Sequence, residues 1–386
     1  MPIQSKPVIL ISAVNLTVGG PLSILKDAVN VFVRDYLSEY KLVLFVNNKS
    51  LFSDIAHHKE IEFHQFAYPK RSWLLRMWFE YIHCWFISKK IKADVWIALN
   101  DLTPNATAKT KIVYCHNPAP FYELDKDITW RKKLFFFHFF YNFFYSINIR
   151  SNKYVFVQQQ WMRDEFKKLF ALNNIVVAHP DVQKPQELIT PDTSKDKFRF
   201  FYPALPRLSK NFETLFEAVK QLAKTSSGFE LIVTFNGSEN IYASQLIDQY
   251  SGLSCIKFIG EQSREDVWKL YATSSCLVFP SKMETWGLPI TEMKTFNKPI
   301  IVANCKYANE TVGSYDKVCF FEAGDVATLA SLMEKTINGT LEYDRRNYQQ
   351  PSPLFVQSWQ EFYALILADF ETKQSNKKLQ PAHNAE

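Results

Sequence analysis

The chain has 386 residues, 47% of them hydrophobic, and a formal net charge of +6. At roughly 100–200 residues per domain this predicts two domains with sizeable cores, and the basic excess is too mild to imply a nucleic-acid partner. Six cysteines with no C-x-x-C pair predict buried reduced thiols rather than a zinc or disulfide framework, and a polar start with no run of about 18 apolar residues predicts a cytoplasmic chain without a membrane span.

Pro7 to Val14 (PVILISAV) reads as a buried parallel strand. A loop over 15–21 carries Gly19 and Gly20, and Leu22 to Val33 follows as an amphipathic helix. Strand, Gly-Gly and helix form a weak phosphate or substrate signature. Without G-x-G-x-x-G a dinucleotide site is not expected. Lys41 to Val46 and Ile61 to Phe66 are the next strands. Arg71 to Lys90 reads as one long helix with aromatics on several faces, and Arg76 and Glu80 sit at i, i+4. Ala93 to Leu99 and Lys111 to Cys115 are strands, and the second delivers His116 at its carboxyl end. Ligands of open α/β sheets bind at that end. His116 is therefore either a site residue or a simple strand cap, and it outweighs His57 and His58 in their polar surroundings.

Trp130 to Arg150 (WRKKLFFFHFFYNFFYSINIR) is almost wholly aromatic from Leu134 to Phe144, with Arg131, Lys132, Lys133 and Arg150 at its flanks. It fits a helix buried in the first domain, or an interfacial helix with its rings among headgroups and its basic ends on anionic phosphates. Lys153 to Val157 is a strand, Trp161 to Phe170 a helix, and Ile175 to Val177 the last strand of this domain. Asp181 to Lys197 is polar and aperiodic and reads as the linker.

The second domain opens with strand Phe198 to Tyr202, a loop carrying Arg207 and Lys210, and a helix from Phe212 to Ala223. Strands Leu231 to Phe235 and Ile256 to Ile259 follow, the latter ending at Gly260, and then a helix from Asp266 to Ala272. Strand–helix pairs at this spacing predict a second doubly wound parallel sheet. Asn309 to Gly313 reads as a loop, Val318 to Phe321 as the last strand, Val326 to Ile337 and Ser358 to Phe370 as helices, and the tail from Lys373 as disordered.

The most informative stretch is Phe279 to Ile301, FPSKMETWGLPITEMKTFNKPII. Strand Cys276 to Phe279 breaks at Pro280-Ser281, Gly287 occupies a tight loop, and Pro289 suits a first helical turn whose missing N–H costs nothing. Glu284 and Glu292 flank that helix start with seven residues between them. Free N–H groups and a partial positive charge there suit a diphosphate, and carboxylates suit sugar hydroxyls. Spacing alone is weak, because a chain with 39 acidic residues repeats it by chance.

The string P-S-x-x-E-x-x-G-L-P-x-x-E followed by x-P-I-I is stronger. It resembles the nucleotide-sugar signature of retaining, family-4 glycosyltransferases of the GT-B fold. The resemblance implies an α/β chain of two Rossmann-like domains facing across a cleft. An acceptor domain would cover 1–185, a donor domain 186–355, and a helix over 356–372 would return to the first domain, with a tail over 373–386. It implies transfer of a hexose from a nucleoside diphosphate sugar to a glycan or lipid-linked acceptor in surface polysaccharide synthesis, with front-face attack and no catalytic metal or cofactor. His116, Lys210 and Glu284 would be catalytic. Gly19, Gly20, Arg207, Lys210, Gly260, Thr285, Trp286, Gly287, Leu288 and Glu292 would bind substrate. Lys210 matches the family's diphosphate-gripping lysine. The accompanying arginine falls near Ala204 instead, which leaves Arg207 as either a shifted substitute or a solvated charge. Peripheral contact with an anionic membrane is a further expectation. Asp125-Lys-Asp127 spells D-x-D, but no apolar strand leads into it, so a metal–diphosphate site is not expected there. The alternatives are a GT-B epimerase, a phosphorylase with a pyridoxal lysine that nothing singles out, and a non-catalytic membrane-docking protein.

Overall fold

The computed structural model describes residues 6–118, 121, 142–182 and 197–368. The aromatic stretch from Leu134 up to residue 141, its basic flank Arg131–Lys133, the D-x-D at Asp125, most of the linker and the tail lie outside these residues. The chain divides into two compact units, Met1–Asp181 with Pro351–Glu386, and Val182–Gln350.

Unit 1 is built on an eight-stranded sheet. In chain order its strands are β1 Val8–Ser12, β2 Lys41–Val46, β3 Ile61–Gln65, β4 Val95–Ala98, β5 Thr110–Cys115, β6 Tyr154–Val157, β7 Ile175–Ala178 and, far downstream, β14 Phe355–Val356. The spatial order is β14-β7-β6-β5-β4-β1-β2-β3, and every pairing is parallel. Alternate residues feed opposite cores, as a period of two requires. Ile9, Ile11, Leu42 and Leu44 face helix Gly19–Asp35 and a helix over 359–368. Leu10, Val43, Trp96 and Val113 face Phe79, Cys84, Met162 and Phe166 on the opposite side. Burial of both faces is why these strands are continuously apolar.

Four readings of the sequence are corrected. Gly19 and Gly20 do not lie in a loop: they open helix Gly19–Asp35, and Gly19 takes a positive φ of 63° at its entry. The long helix is interrupted: Trp73–Trp78 and Cys84–Ile91 are joined by a wide π-type turn, Phe79–His83. β7 is not the last strand of the unit, because β14 pairs beside it. Finally, Ala308–Val312 is a short helix, not a loop, stopped by Gly313 at φ 62°.

The returning chain is gripped by Arg163 of helix Gln160–Phe170, a buried side chain. Its Nη1 donates to the Ser352 carbonyl (3.1 Å), to Ser352 Oγ (2.7 Å) and to the Pro353 carbonyl (3.2 Å), and its Nη2 donates to the Leu354 carbonyl. Beyond β14 the 359–368 helix seals the first core. Tyr363 donates to the Ala28 carbonyl at 3.0 Å, and the Phe362 ring lies 4.5 Å from that of Phe156.

Unit 2 carries six parallel strands, β8 Phe198–Tyr202, β9 Phe229–Val233, β10 Ile256–Phe258, β11 Cys276–Phe279, β12 Ile300–Ala303 and β13 Val318–Phe321, in the order β10-β9-β8-β11-β12-β13. Helices Phe212–Leu222, Ile241–Tyr250, Arg264–Thr273, Leu288–Lys294 and Val326–Ile337 connect or cover them around one core. All six cysteines are free thiols.

The grip of Arg163 is testable. Arg163→Ala removes charge-assisted hydrogen bonds worth together on the order of 3 kcal/mol. Urea unfolding should register that loss, and hydrogen exchange at Val177 and His179, whose amides bond to the Leu354 and Val356 carbonyls, should accelerate. Unchanged exchange at both would show that β14 is held without the arginine.

Candidate active site

In each sheet the winding reverses at one point. In unit 2 it reverses between β8 and β11, in unit 1 between β1 and β4. The connections diverge there and leave a crevice beyond the strands' carboxyl ends, where open α/β sheets bind ligands.

At the unit 2 reversal, the loop after β8 and the loop after β11 are stitched together. The Ser209 carbonyl accepts from the Lys282 amide (2.8 Å) and from Ser281 Oγ (3.2 Å). Asn211, in a left-handed conformation at φ 58°, donates from Nδ2 to the carbonyls of Pro280 and Ala323. Tyr202 OH holds the Lys210 carbonyl (2.9 Å), and Tyr307 OH holds that of Ser281 (2.7 Å). This framework brings Lys210 Nζ into a hydrogen-bonded ion pair with Glu284 Oε1, with the two side chains 20% and 15% exposed. Burial pushes the Tyr202 and Tyr307 phenols well up, and the nearby Glu284 charge adds to the rise, after Cys305 in the case of Tyr307.

Gly287 turns the chain at φ 90°, and a Cβ there would meet Ile290 Cδ1 and Phe279 Cε1 at 3.3 Å. Both the conformation and the space favour glycine. Helix Leu288–Lys294 starts at the next residue. Trp286 is pinned by Nε1 to Thr291 Oγ1 (2.8 Å), and its carbonyl accepts from Thr311 Oγ1.

Glu292 is turned into the unit. Its Oε2 accepts from Tyr271 OH (2.7 Å) and its Oε1 from Arg264 Nη1 (3.1 Å), and the side chain is 6% exposed. Burial, with the Glu292 charge beside it, raises the Tyr271 phenol well above its ordinary value. Arg207 is exposed. Gly260 lies two residues past the edge strand β10, two strands from the reversal, where a Cβ would meet Asn236 Nδ2 at 3.1 Å. The sequence reading missed Arg264, Tyr271, Asn211 and Thr311. The one available signal was that an inward carboxylate demands donors, which Arg264 and Tyr271 of helix Arg264–Thr273 supply.

At the unit 1 reversal a second polar cluster forms. Asn100 Nδ2 donates to Ser12 Oγ (3.3 Å) and to Glu80 Oε1 (3.5 Å), and Asn100 Oδ1 accepts from the Asn15 amide (3.4 Å). Asp101, at φ 68°, accepts from the His116 amide at 2.7 Å, and its other oxygen lies 3.9 Å from His116 Nε2. His116 Nδ1 is buried with no hydrogen-bond partner among the described residues. Arg76 and Glu80 form no ion pair among the described residues, although the Arg76 charge still acts on the Glu80 carboxyl. Arg76 instead donates to the Asn100 carbonyl, because the wide turn carries Glu80 into the interior.

A cavity of roughly 800 Å³ lined by Tyr315, Tyr343, Asp344 and Arg345 lies at the amino end of β13, at the edge of the unit 2 sheet away from Lys210 and Glu284. Among the described residues no group of three or more His, Cys, Asp or Glu could hold a metal ion, and no helix is long and apolar enough to cross a membrane.

Two parallel-sheet α/β domains of this kind define the architecture of GT-B glycosyltransferase structures. Residues 185–351, which nearly coincide with unit 2, match the family model described as "Glycosyl transferases group 1". Over 106 residues the chain is 31% identical to the O-antigen chain mannosyltransferase B of Escherichia coli, covering 27% of this chain and 28% of that protein. The fold is shared with WaaG, a glycosyltransferase involved in lipopolysaccharide biosynthesis, at TM-score 0.64 and 15% identity over 94% of this chain and 95% of that one. It is also shared with Anabaena HepE in complex with UDP-glucose, at TM-score 0.61 and 14% identity over 96% of this chain and 100% of that one.

Glu80 gives a prediction with a definite sign. Burial lifts its carboxyl from 4.5 to about 7, Asp101 adds to the rise, and Arg76 and the Asn100 hydrogen bond oppose it. Between those values the unfolded chain binds fewer protons than the folded one, so stability falls as pH rises through the window and is lowest above it. Urea melts should lose on the order of 3 kcal/mol from about pH 4.5 to about pH 7.5, and Glu80→Gln should abolish most of that fall. Equal pH dependence in the two proteins would contradict the assignment.

Proposed function

We propose that the chain is a retaining hexosyltransferase. It moves a sugar from a nucleoside diphosphate donor to a glycan or lipid-linked glycan acceptor in surface polysaccharide biosynthesis. The observation that carries this reading is the Lys210–Glu284 pair at the winding reversal of the unit whose sequence matches a glycosyltransferase family. The solved UDP-glucose complex with the same fold supports the donor class.

In this mechanism the bond between the sugar's anomeric carbon and the diphosphate oxygen breaks, and the acceptor hydroxyl adds to that carbon from the same face. The hydroxyl proton leaves with the diphosphate. The main requirement is stabilisation of negative charge on the leaving group. Lys210 supplies a fixed cation for it, Glu284 aims that cation and accepts from hexose hydroxyls, and the amides around Thr285, Trp286, Gly287 and Leu288 complete the cradle. Glu292 orients the ribose edge of the nucleotide, with Arg264 and Tyr271 fixing its carboxylate. Arg207 is an exposed cation of the same loop, Gly260 allows close backbone approach, His116 contacts the donor sugar, and Gly19 and Gly20 serve the substrate side of unit 1. Neither a metal nor a cofactor is needed, and the enzyme works in the cytoplasm with peripheral contact to anionic membrane.

A panel of nucleotide sugars tested for protection against melting identifies the donor. With that donor, Lys210→Ala should cut turnover by a factor on the order of 100, chelator should leave the rate unchanged, and the product should keep the donor's anomeric configuration. Inversion would reject the retaining mechanism, and a normal rate for Lys210→Ala would reject the role of the pair.

Glu292→Gln retains one acceptor for Tyr271 but loses the charge. Affinity for the free nucleoside diphosphate should fall by roughly tenfold, the value of one charge-assisted hydrogen bond. Unaltered affinity would confine Glu292 to holding Tyr271 and Arg264.

A further inference from the structure

The helix pair Trp73–Trp78 and Cys84–Ile91, with its wide turn, presents two opposed stripes. The inner one is Phe79, Glu80, Cys84 and Ser88, all buried. The outer one is apolar and open to solvent. Leu74 is 84% exposed, Phe86 57%, Trp78 46% and Ile82 45%, with Trp73, Leu75 and Trp85 beside them. The patch extends onto the helical segment at 142–146, where Phe144 stacks on Trp73 at 6.0 Å and Phe143 is itself exposed. A contiguous apolar face of this kind marks an interaction surface.

Charge selects the occupant. The only acidic residue on this helix is Glu80, and it is internal. The exposed charges at both ends are basic: Lys70 and Arg71 before it, Lys89, Lys90 and Lys92 after it. The Lys89 ammonium sits 3.2 Å from the Trp85 ring centroid, so the ring and the cation are presented together. A second copy of the chain laid on this face, parallel or antiparallel, would oppose basic ends to basic ends, which is repulsive. An anionic bilayer complements both ends while its acyl boundary takes up the rings.

We propose that this face, at Leu74, Trp78, Ile82, Trp85 and Phe86, docks unit 1 on an anionic lipid surface, with Lys89 and Lys90 against the headgroup phosphates. The inference deepens the proposed function, since it makes the acceptor one carried at a bilayer, and it moves the docking surface from the 134–145 segment to this helix.

The test is flotation of the full chain with vesicles of phosphatidylcholine alone and of phosphatidylcholine with phosphatidylglycerol at roughly three to one. Binding is expected to the acidic vesicles and to weaken with salt. Leu74→Glu/Trp78→Glu/Phe86→Glu should reduce it at least about tenfold with melting unchanged, and Lys89→Glu/Lys90→Glu by at least about twenty-five-fold, at roughly fivefold per basic residue. Wild-type protein that stays in solution with both vesicles overturns the proposal. So does full binding by the triple variant, or self-association in light scattering that the triple variant dissolves while vesicles remain unbound. If only Arg131→Glu/Lys132→Glu/Lys133→Glu abolishes binding, docking belongs to the other segment and this face is not the site. Donor protection measured on the same samples shows separately whether the transferase reading stands.

Discussion

Parallel pairing is the constraint on which the rest of this structure depends. It puts the carboxyl ends of all strands in a sheet on one edge, and each connection must climb back over a face before the next strand starts. When successive crossovers change face, the winding reverses, and two neighbouring strands send their following loops apart. Unit 2 does this at β8 and β11 and unit 1 at β1 and β4. Hydrophobic side chains fill the sheet faces on either side, so polar groups are displaced to these openings. Lys210 and Glu284 collect at one, and Asn100, Asp101, Glu80 and His116 at the other.

The two clusters handle charge differently. Lys210 and Glu284 neutralise each other and keep some exposure, so neither suffers the full cost of burial. Glu80 has an amide for one oxygen and no partner for the other among the described residues, and it answers by holding its proton. A carboxyl kept neutral by its surroundings costs the fold stability above its shifted pKa. Chains tolerate such a cost where the arrangement serves a site. Here Glu80 and Ser12 fix the Asn100 side chain, and the next residue, Asp101, fixes the His116 backbone.

What was legible in the sequence follows from the same physics. Strands buried on both faces announce themselves as short apolar runs, and β2, β8, β11 and β13 fall where the residue pattern puts them. β14 could not announce itself: two residues, Phe355 and Val356, among polar and proline-rich neighbours acquire strand geometry only from β7 and the grip of Arg163. Helix Ile241–Tyr250 was not marked out, although Ala243, Leu246 and Tyr250 bury one face at helical spacing and Asn240 caps its start. Lys210 and Glu284 were legible because each lies in a local motif. Their contact was not, because it depends on which strands become neighbours. Arg264 and Tyr271 escaped for the same reason, as partners of a glutamate 28 and 21 residues away.

The wide turn Phe79–His83 links the buried polar cluster of unit 1 to its exposed apolar face. Buried positions recur at Glu80, Cys84 and Ser88, and exposed apolar ones at Leu74, Trp78, Ile82 and Phe86, both every four residues. In an unbroken α-helix of 3.6 residues per turn, a four-residue spacing drifts steadily round the axis. A turn containing an extra residue takes up part of that drift and keeps each stripe facing one way. The same local distortion therefore holds Glu80 beside Asn100 and keeps Trp78 and Phe86 turned to solvent. An α-helical register without it would rotate one stripe out of place, bringing either the carboxyl toward water or the aromatic rings toward the sheet. The rings are not needed there, because Phe79 and Cys84 already pack against β2, β4 and their neighbours.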